Sequence, residues 1–250
     1  MGVKTKIDWC DSSWNPITGC KHGCEYCYAR RISERFGGVY IKGKDDTFPV
    51  LEEPYRRQDN GAVNPYPYGF TPTFHRYRLD EPAKWKKPKS IFVCSMADLF
   101  GDWVPLEYIL DIFEACKAAP QHRYLFLTKN PIRYVSLENL GTLPKGDNFW
   151  FGSTTDVFKR GYFYHLESNA FVSIEPMLER FNIVDDDLVG IKWVIVGAET
   201  GNRKSRVIPE KEWIMDISDI CQKTGTALFM KESLRGIMGD DFRQEFPWEV

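Results

Sequence analysis

Three cysteines crowd one short stretch of the chain, Gly19-Cys20-Lys21-His22-Gly23-Cys24-Glu25-Tyr26-Cys27-Tyr28. Three thiolates this close together can hold a metal ion or a cluster, and no disulfide pairing satisfies three. Three ligands rather than four leave one coordination position free, which is where metal sites do chemistry. Thiolate ligation is also how iron–sulfur clusters are held. With His22 as a fourth ligand, the same stretch reads as a structural zinc site.

The elements that must position this loop follow from the apolar pattern. Ile7, Trp9, Trp14 and Ile17, with turn residues between them, predict a short strand or extended segment leading into the loop. Tyr28, Ile32 and Phe36 then recur at helical spacing and Gly37-Gly38 ends the pattern, which predicts an amphipathic helix. Periodicity is lost between about residues 37 and 89, where prolines, glycines and aromatics alternate, so an irregular insertion is expected there.

From Ser90 onward, short apolar runs alternate with helix-like segments. The runs are Ile91-Phe92-Val93, Tyr124-Leu125-Phe126-Leu127, Phe149-Trp150-Phe151, Ala170-Phe171-Val172, Trp193-Val194-Ile195-Val196 and Ala227-Leu228-Phe229-Met230. Their β-branched and aromatic content suits buried parallel strands. Leu106, Ile109, Leu110 and Phe113 mark one helix after Pro105. Trp213, Ile217 and Ile220 mark another between Pro209 and Gly225. With the opening segment this makes about seven strand–helix units, an α/β fold whose parallel sheet closes into a full or partial barrel over a single domain, 1–250.

Composition is that of a soluble globular chain: 250 residues, 43% hydrophobic, 27% charged, net charge −2. That balance gives no global attraction to nucleic acid or to anionic membranes. No apolar run reaches membrane-spanning length and no secretory signal is expected, so the chain reads as cytoplasmic. Seven cysteines, an odd number, argue against a disulfide framework. Cys116 and Cys221 fall on apolar helix stripes and read as packing residues.

Sites in such folds form where strands end. The polar residues there are Ser95 and Asp98, Thr128 and Lys129, Ser153 and Thr154, Ser173 and Glu175, Glu199 and Thr200, and Lys231 and Glu232. Lys129 suits a carboxylate. Glu175 and Glu199 suit a ribose hydroxyl or a substrate group. Phe70, Phe74 and Tyr77, among Arg76, Arg78, Lys84, Lys86, Lys87 and Lys89, could grip phosphates and stack bases, or could be solvated side chains of a proline-rich loop.

The spacing Cys-x3-Cys-x2-Cys, with Tyr26 before the last cysteine, resembles the signature loop of the radical S-adenosylmethionine (SAM) superfamily, and Gly-Cys-x3-Cys-x-Tyr-Cys-Tyr resembles the loop of spore photoproduct lyases. The resemblance implies a partial (β/α)6–7 barrel. It also implies a [4Fe–4S] cluster on Cys20, Cys24 and Cys27 whose open iron takes SAM. It implies further that Lys129 contacts the SAM carboxylate and that the main chain at Tyr26 meets the adenine edge. Ser95 and Ser153 would lie near the cofactor, with Ser153 at its ribose or methionine end. Val93-Cys94-Ser95-Met96-Ala97-Asp98 resembles the lyase strand whose cysteine gives a hydrogen atom, and Tyr28 could relay one. The alternative for Cys94 is a packed strand cysteine.

A flavodoxin- or ferredoxin-like electron donor is implied as partner. A nucleic acid base or nucleotide is the expected substrate, for repair or modification. Trp14-Asn15-Pro16-Ile17-Thr18-Gly19-Cys20, Ser95-Met96-Ala97-Asp98-Leu99-Phe100 and Trp193-Val194-Ile195-Val196-Gly197-Ala198-Glu199-Thr200-Gly201 also resemble an uncharacterised, phage-associated three-cysteine family. The alternatives to an enzyme are a zinc module and a catalytically idle nucleic-acid-binding protein.

Overall fold

The computed structural model describes residues 5–37, 48–156, 168–201 and 203–249. Seven strands form one sheet in the order β1 (Ser12–Trp14), β5 (Ser90–Val93), β6 (Arg123–Thr128), β7 (Phe149–Thr154), β8 (Asn169–Ile174), β9 (Ile191–Val196) and β10 (Ala227–Met230). The chain divides into two compact units, one built on Cys10–Phe126 and the other on Lys6–Trp9 with Leu127–Val250. No helix among the described residues is long and apolar enough to cross a membrane.

In the first unit β1 pairs in parallel with β5, Ser12 opposite Ile91 and Trp14 opposite Val93. β5 pairs in parallel with β6 from Ser90–Arg123 to Phe92–Leu125. All four residues of β5 are buried, as a strand covered on both faces requires. Helix α2 (Leu106–Lys117) buries Ile109, Ile112, Phe113 and Cys116. This stripe differs from the expected one, because Leu106 is exposed. Phe113 packs edge-on against Phe126, with ring centroids 5.5 Å apart, and Cys116 is buried as a packing residue.

Helix α1 (Tyr28–Phe36) forms where expected, yet its buried residues are Ala29 and Ser33. Tyr28 and Phe36 are 42% and 49% exposed, so the stripe read from the sequence is not the packed face. The insertion also carries more order than its composition suggested. β2 (Ile17–Thr18), β3 (Val50–Leu51) and β4 (Thr73–His75) make a small sheet, with β4 central, antiparallel to β2 and parallel to β3. Strands of two or three residues are too short to show an alternating pattern. Residues 38–47 of the expected insertion lie outside the described residues.

In the second unit β8 lies between β7 and β9, all six of its residues buried. β10 pairs with β9 from Ala227–Trp193 to Met230–Val196. One face of these strands, with Ala170, Val172, Ile174, Val194, Val196, Leu228 and Met230, packs with Ile214, Ile217 and Cys221 of helix α4 (Lys211–Thr224). Gly225 ends that helix in the left-handed conformation, as the sequence predicts. Residues that alternate with these, Phe171, Trp193 and Phe229, form an aromatic cluster with Trp9, Phe246 and Trp248. Between β6 and β7 lies α3 (Ile132–Asn139). Residues 157–167, between β7 and β8, lie outside the described residues.

Candidate metal centre

The cysteine loop joins β2 to α1. At its start Gly19 takes φ +86°, and a Cβ there would sit 2.4 Å from the Thr71 carbonyl oxygen, so only glycine fits. The Gly19 N–H donates to the Met96 carbonyl at 2.9 Å and the Cys20 N–H to that of Phe70 at 3.2 Å. The loop is thereby seated on the turn that follows β5. Cys20, Cys24 and Cys27 are all free and half-buried. The Cys27 N–H donates to the Cys24 carbonyl at 3.2 Å, and Cys27 Sγ caps α1 by accepting from the Arg30 N–H at 3.4 Å. Cys20 Sγ accepts from the His22 N–H at 3.5 Å.

Burial pushes the Cys20 thiol up to about 12, against the pull of the His22 N–H, and the charges of Asp98, Cys24 and Cys27 push the same way. The protein thus favours the neutral Cys20 thiol, and a bound cation reverses that balance by deprotonating its ligand. Among the described residues no three Cys, His, Asp or Glu side chains stand already gathered as a metal-holding group. What fits a cluster is the chemistry of the donor set: three free thiols on one loop, with backbone N–H groups directed at two of the sulfurs. Hydrogen bonds of this kind tune iron–sulfur clusters.

The turn after β5 carries the rest of this unit's site. Cys94 is 1% exposed, with φ +60°. Burial pushes its thiol up to about 12. Asn15 Oδ1 accepts from Ser95 Oγ at 3.2 Å and from the Met96 N–H at 2.9 Å. The Tyr28 hydroxyl donates to the Ser95 carbonyl at 2.5 Å. His22 Nε2 and Asp98 Oδ2 lie 2.7 Å apart. Tyr26 is half-buried on the loop. The first unit therefore seats the loop of Cys20, Cys24, Cys27 and Tyr28 against the turn that carries Cys94 and Ser95. Sequence reasoning missed Asn15 as their organiser; its signal was its place before Pro16 in the run leading to Cys20.

In the second unit Lys129, just past β6, meets Asp156 just past β7, Nζ to Oδ2 2.9 Å, with side chains only 12% and 8% exposed. Ser153 is buried within β7, opposite Val172. Lys231 Nζ bonds to Glu175 across Gly197, where a Cβ would meet Lys231 Cδ at 2.8 Å. Both oxygens of Glu199 are taken by Arg203, at 2.7 and 2.6 Å. That guanidinium holds the Glu199 carboxyl below the usual range. The cation partners of Glu175 and Glu199, and Asp156 as the anion on Lys129, lie far off in sequence or in unpatterned loops, and sequence reasoning did not pair them.

Several insertion cations are committed to structure. Arg78 donates to the Asn15 carbonyl at 2.9 Å, Arg76 lies 3.4 Å from Glu52, Lys84 pairs with Asp80, and Lys89 donates to Ser12 Oγ. Arg30 of α1 stands over the Phe70 ring at 4.7 Å.

Residues 4–236 match the sequence profile of a family described as "Protein of unknown function (DUF5131)". No curated protein matches the chain. The solved structure of spore photoproduct lyase complexed with dinucleoside spore photoproduct is similar to it, with a TM-score of 0.50 and 10% identity over 92% of this chain and 79% of that one. At that identity the likeness is one of fold, and the seven-stranded parallel sheet is a partial barrel like that of the lyase.

Proposed function

The chain belongs to the DUF5131 family, and we propose that it is a radical SAM enzyme. The observation that carries this is the loop of three free, half-buried thiols seated on the turn after β5, in a chain with the fold of a radical SAM lyase. A [4Fe–4S] cluster with SAM on its open iron supplies, when bound and reduced by a flavodoxin- or ferredoxin-like donor, a 5′-deoxyadenosyl radical that abstracts hydrogen from the substrate.

The chain's own residues have these roles. Cys20, Cys24 and Cys27 hold the cluster. Lys129 binds the SAM carboxylate as a point charge, exchanging Asp156 for it, and Ser153, Ser95 and the Tyr26 main chain contact the rest of the cofactor. Glu175 and Glu199 serve a ribose hydroxyl or the substrate. Cys94, its thiol kept protonated by burial, gives a hydrogen atom to a carbon radical of the product. Tyr28 fixes the Ser95 carbonyl through its hydroxyl and is a candidate relay for that hydrogen atom.

A nucleic acid base or nucleotide is the substrate class we favour. Its support is the dinucleoside bound by the lyase of similar fold, with Lys86 and Lys87 of the insertion exposed; Phe74, expected to stack bases, is instead buried against Tyr108. A zinc module with His22 as fourth ligand is the alternative reading, and the test below separates the two.

The test is anaerobic reconstitution with iron and sulfide, then SAM and reductant. A brown protein with about four irons per chain that forms 5′-deoxyadenosine supports the reading, provided Cys24→Ala loses both. A colourless protein holding one tight zinc and forming no 5′-deoxyadenosine overturns it.

A further inference from the structure

Between Cys20 and Cys24 stands a side chain that the chemistry above does not use. His22 meets Asp98, Nε2 to Oδ2 2.7 Å. The other Asp98 oxygen accepts the Phe100 N–H at 3.0 Å, so the carboxylate is oriented by both oxygens. Its side chain is 7% exposed. The His22 ring lies edge-on to Trp103, centroids 4.9 Å apart. Trp103 is in turn packed over Gly101, where a Cβ would meet the indole at 2.3 Å. His22 is therefore gripped at its tip and along its ring, while its own N–H is on Cys20 Sγ.

Resting on the radical SAM reading, we propose that Asp98 is a positioning residue that acts through His22: it latches the cysteine loop to the turn after β5, and its buried charge sets how readily the cluster there is reduced. A carboxylate–histidine pair beside metal ligands orients them and fixes the loop that carries them. A negative charge in a low-dielectric setting opposes the arrival of an electron nearby. That charge stands one side chain from the ligands, since His22, whose ring meets Asp98, gives its backbone N–H to Cys20 Sγ at 3.5 Å. Asp98 thus keeps the cluster's potential low, which makes it a stronger reductant once reduced.

The experiment uses reconstituted full chain and reads iron per chain, the electron paramagnetic resonance spectrum of the reduced cluster, its midpoint potential, and iron loss to a chelator. Asp98→Asn keeps the shape and removes the charge, so wild-type iron content with a more positive midpoint potential is expected. Asp98→Ala and His22→Ala break the latch, and iron loss faster by about tenfold or more is expected. Glu107→Gln, an exposed carboxylate of α2, should leave all four readouts unchanged. His22→Ala keeps the carboxylate, so it tests the latch even where Asp98→Asn folds poorly. Asp98→Asn with wild-type potential and spectrum, or His22→Ala that holds iron as wild type does, overturns the inference and leaves the enzyme reading standing. A wild-type chain that takes up no cluster removes both.

Discussion

The Cys94 N–H donates to the Trp14 carbonyl at 2.7 Å, extending the β1–β5 pairing one residue past β5, at a φ of +60°. Cys94 is the described non-glycine residue held at positive φ. Residues in such conformations cost about 1–3 kcal/mol and persist where the surroundings over-determine them, often at functional sites.

Two substitutions separate strain from chemistry at this position. Cys94→Gly relieves the backbone while losing the sulfur, so its urea stability should stay within about 1 kcal/mol of wild type. Cys94→Ala keeps the strain and loses the sulfur, and should be destabilised by about 1–2 kcal/mol. Both should retain iron, with 5′-deoxyadenosine formation within about twofold of wild type and product formation lost. A Cys94→Ala protein with full product formation would end the hydrogen-donor role.

Gly19 and Gly23 both have positive φ on the cysteine loop, yet they should respond differently to alanine. At Gly19 a Cβ falls 2.4 Å from the Thr71 carbonyl oxygen, whereas at Gly23 nothing lies within 4 Å. Gly19→Ala should cost on the order of 3 kcal/mol or more and lower iron content, because the loop must leave its seat. Gly23→Ala should cost about 1 kcal/mol and keep the iron. Denaturant titration with iron analysis checks both.

The cysteine loop was legible because its three thiols are near neighbours in the chain and spacing alone puts them on one loop. The sheet was legible because its strands are apolar runs, although Phe149-Trp150-Phe151 proved to be only the start of β7, which continues through Gly152, Ser153 and Thr154. Polar residues at a strand's end hide its length. Pairs that close over long stretches of chain left no pattern: His22 with Asp98, Glu175 with Lys231, and Lys129 with Asp156. The small sheet around β4 was missed for a related reason, since β2 and β3 are held by their partner's hydrogen bonds and not by a patterned core face.

Lys129 and Asp156 make a largely buried pair, and removing one member costs the other its buried ion pair. Lys129→Met should destabilise the protein by about 3–5 kcal/mol, and the Lys129→Met/Asp156→Asn double variant should recover part of that loss. If Lys129 takes the SAM carboxylate, Lys129→Met also weakens SAM binding by about tenfold or more, whereas Asp156→Asn does not. Thermal melts and calorimetric titration with SAM read the two effects separately. Equal SAM affinity in wild type and Lys129→Met would remove Lys129 from the cofactor site.

His75 of β4 offers a pH test of the small sheet. It is fully buried, its Nε2 lies 2.8 Å from Thr18 Oγ1, and its Nδ1 has no hydrogen-bond partner. Desolvation, with Arg78 as a lesser cause, pushes its pKa down to about 2. The folded chain therefore leaves this imidazole neutral where the unfolded chain, titrating near 6.5, binds a proton. Between those values the unfolded state holds the extra proton, so stability falls as pH drops below about 6.5, by at most about 1.4 kcal/mol per pH unit from this group. A loss of up to about 2 kcal/mol between pH 6.5 and 5 is expected from His75 alone. His75→Gln, which cannot take the proton, should be less stable than wild type at pH 7 but should flatten this part of the curve. Parallel slopes for the two proteins would show that His75 is protonated in the folded chain or reached by water.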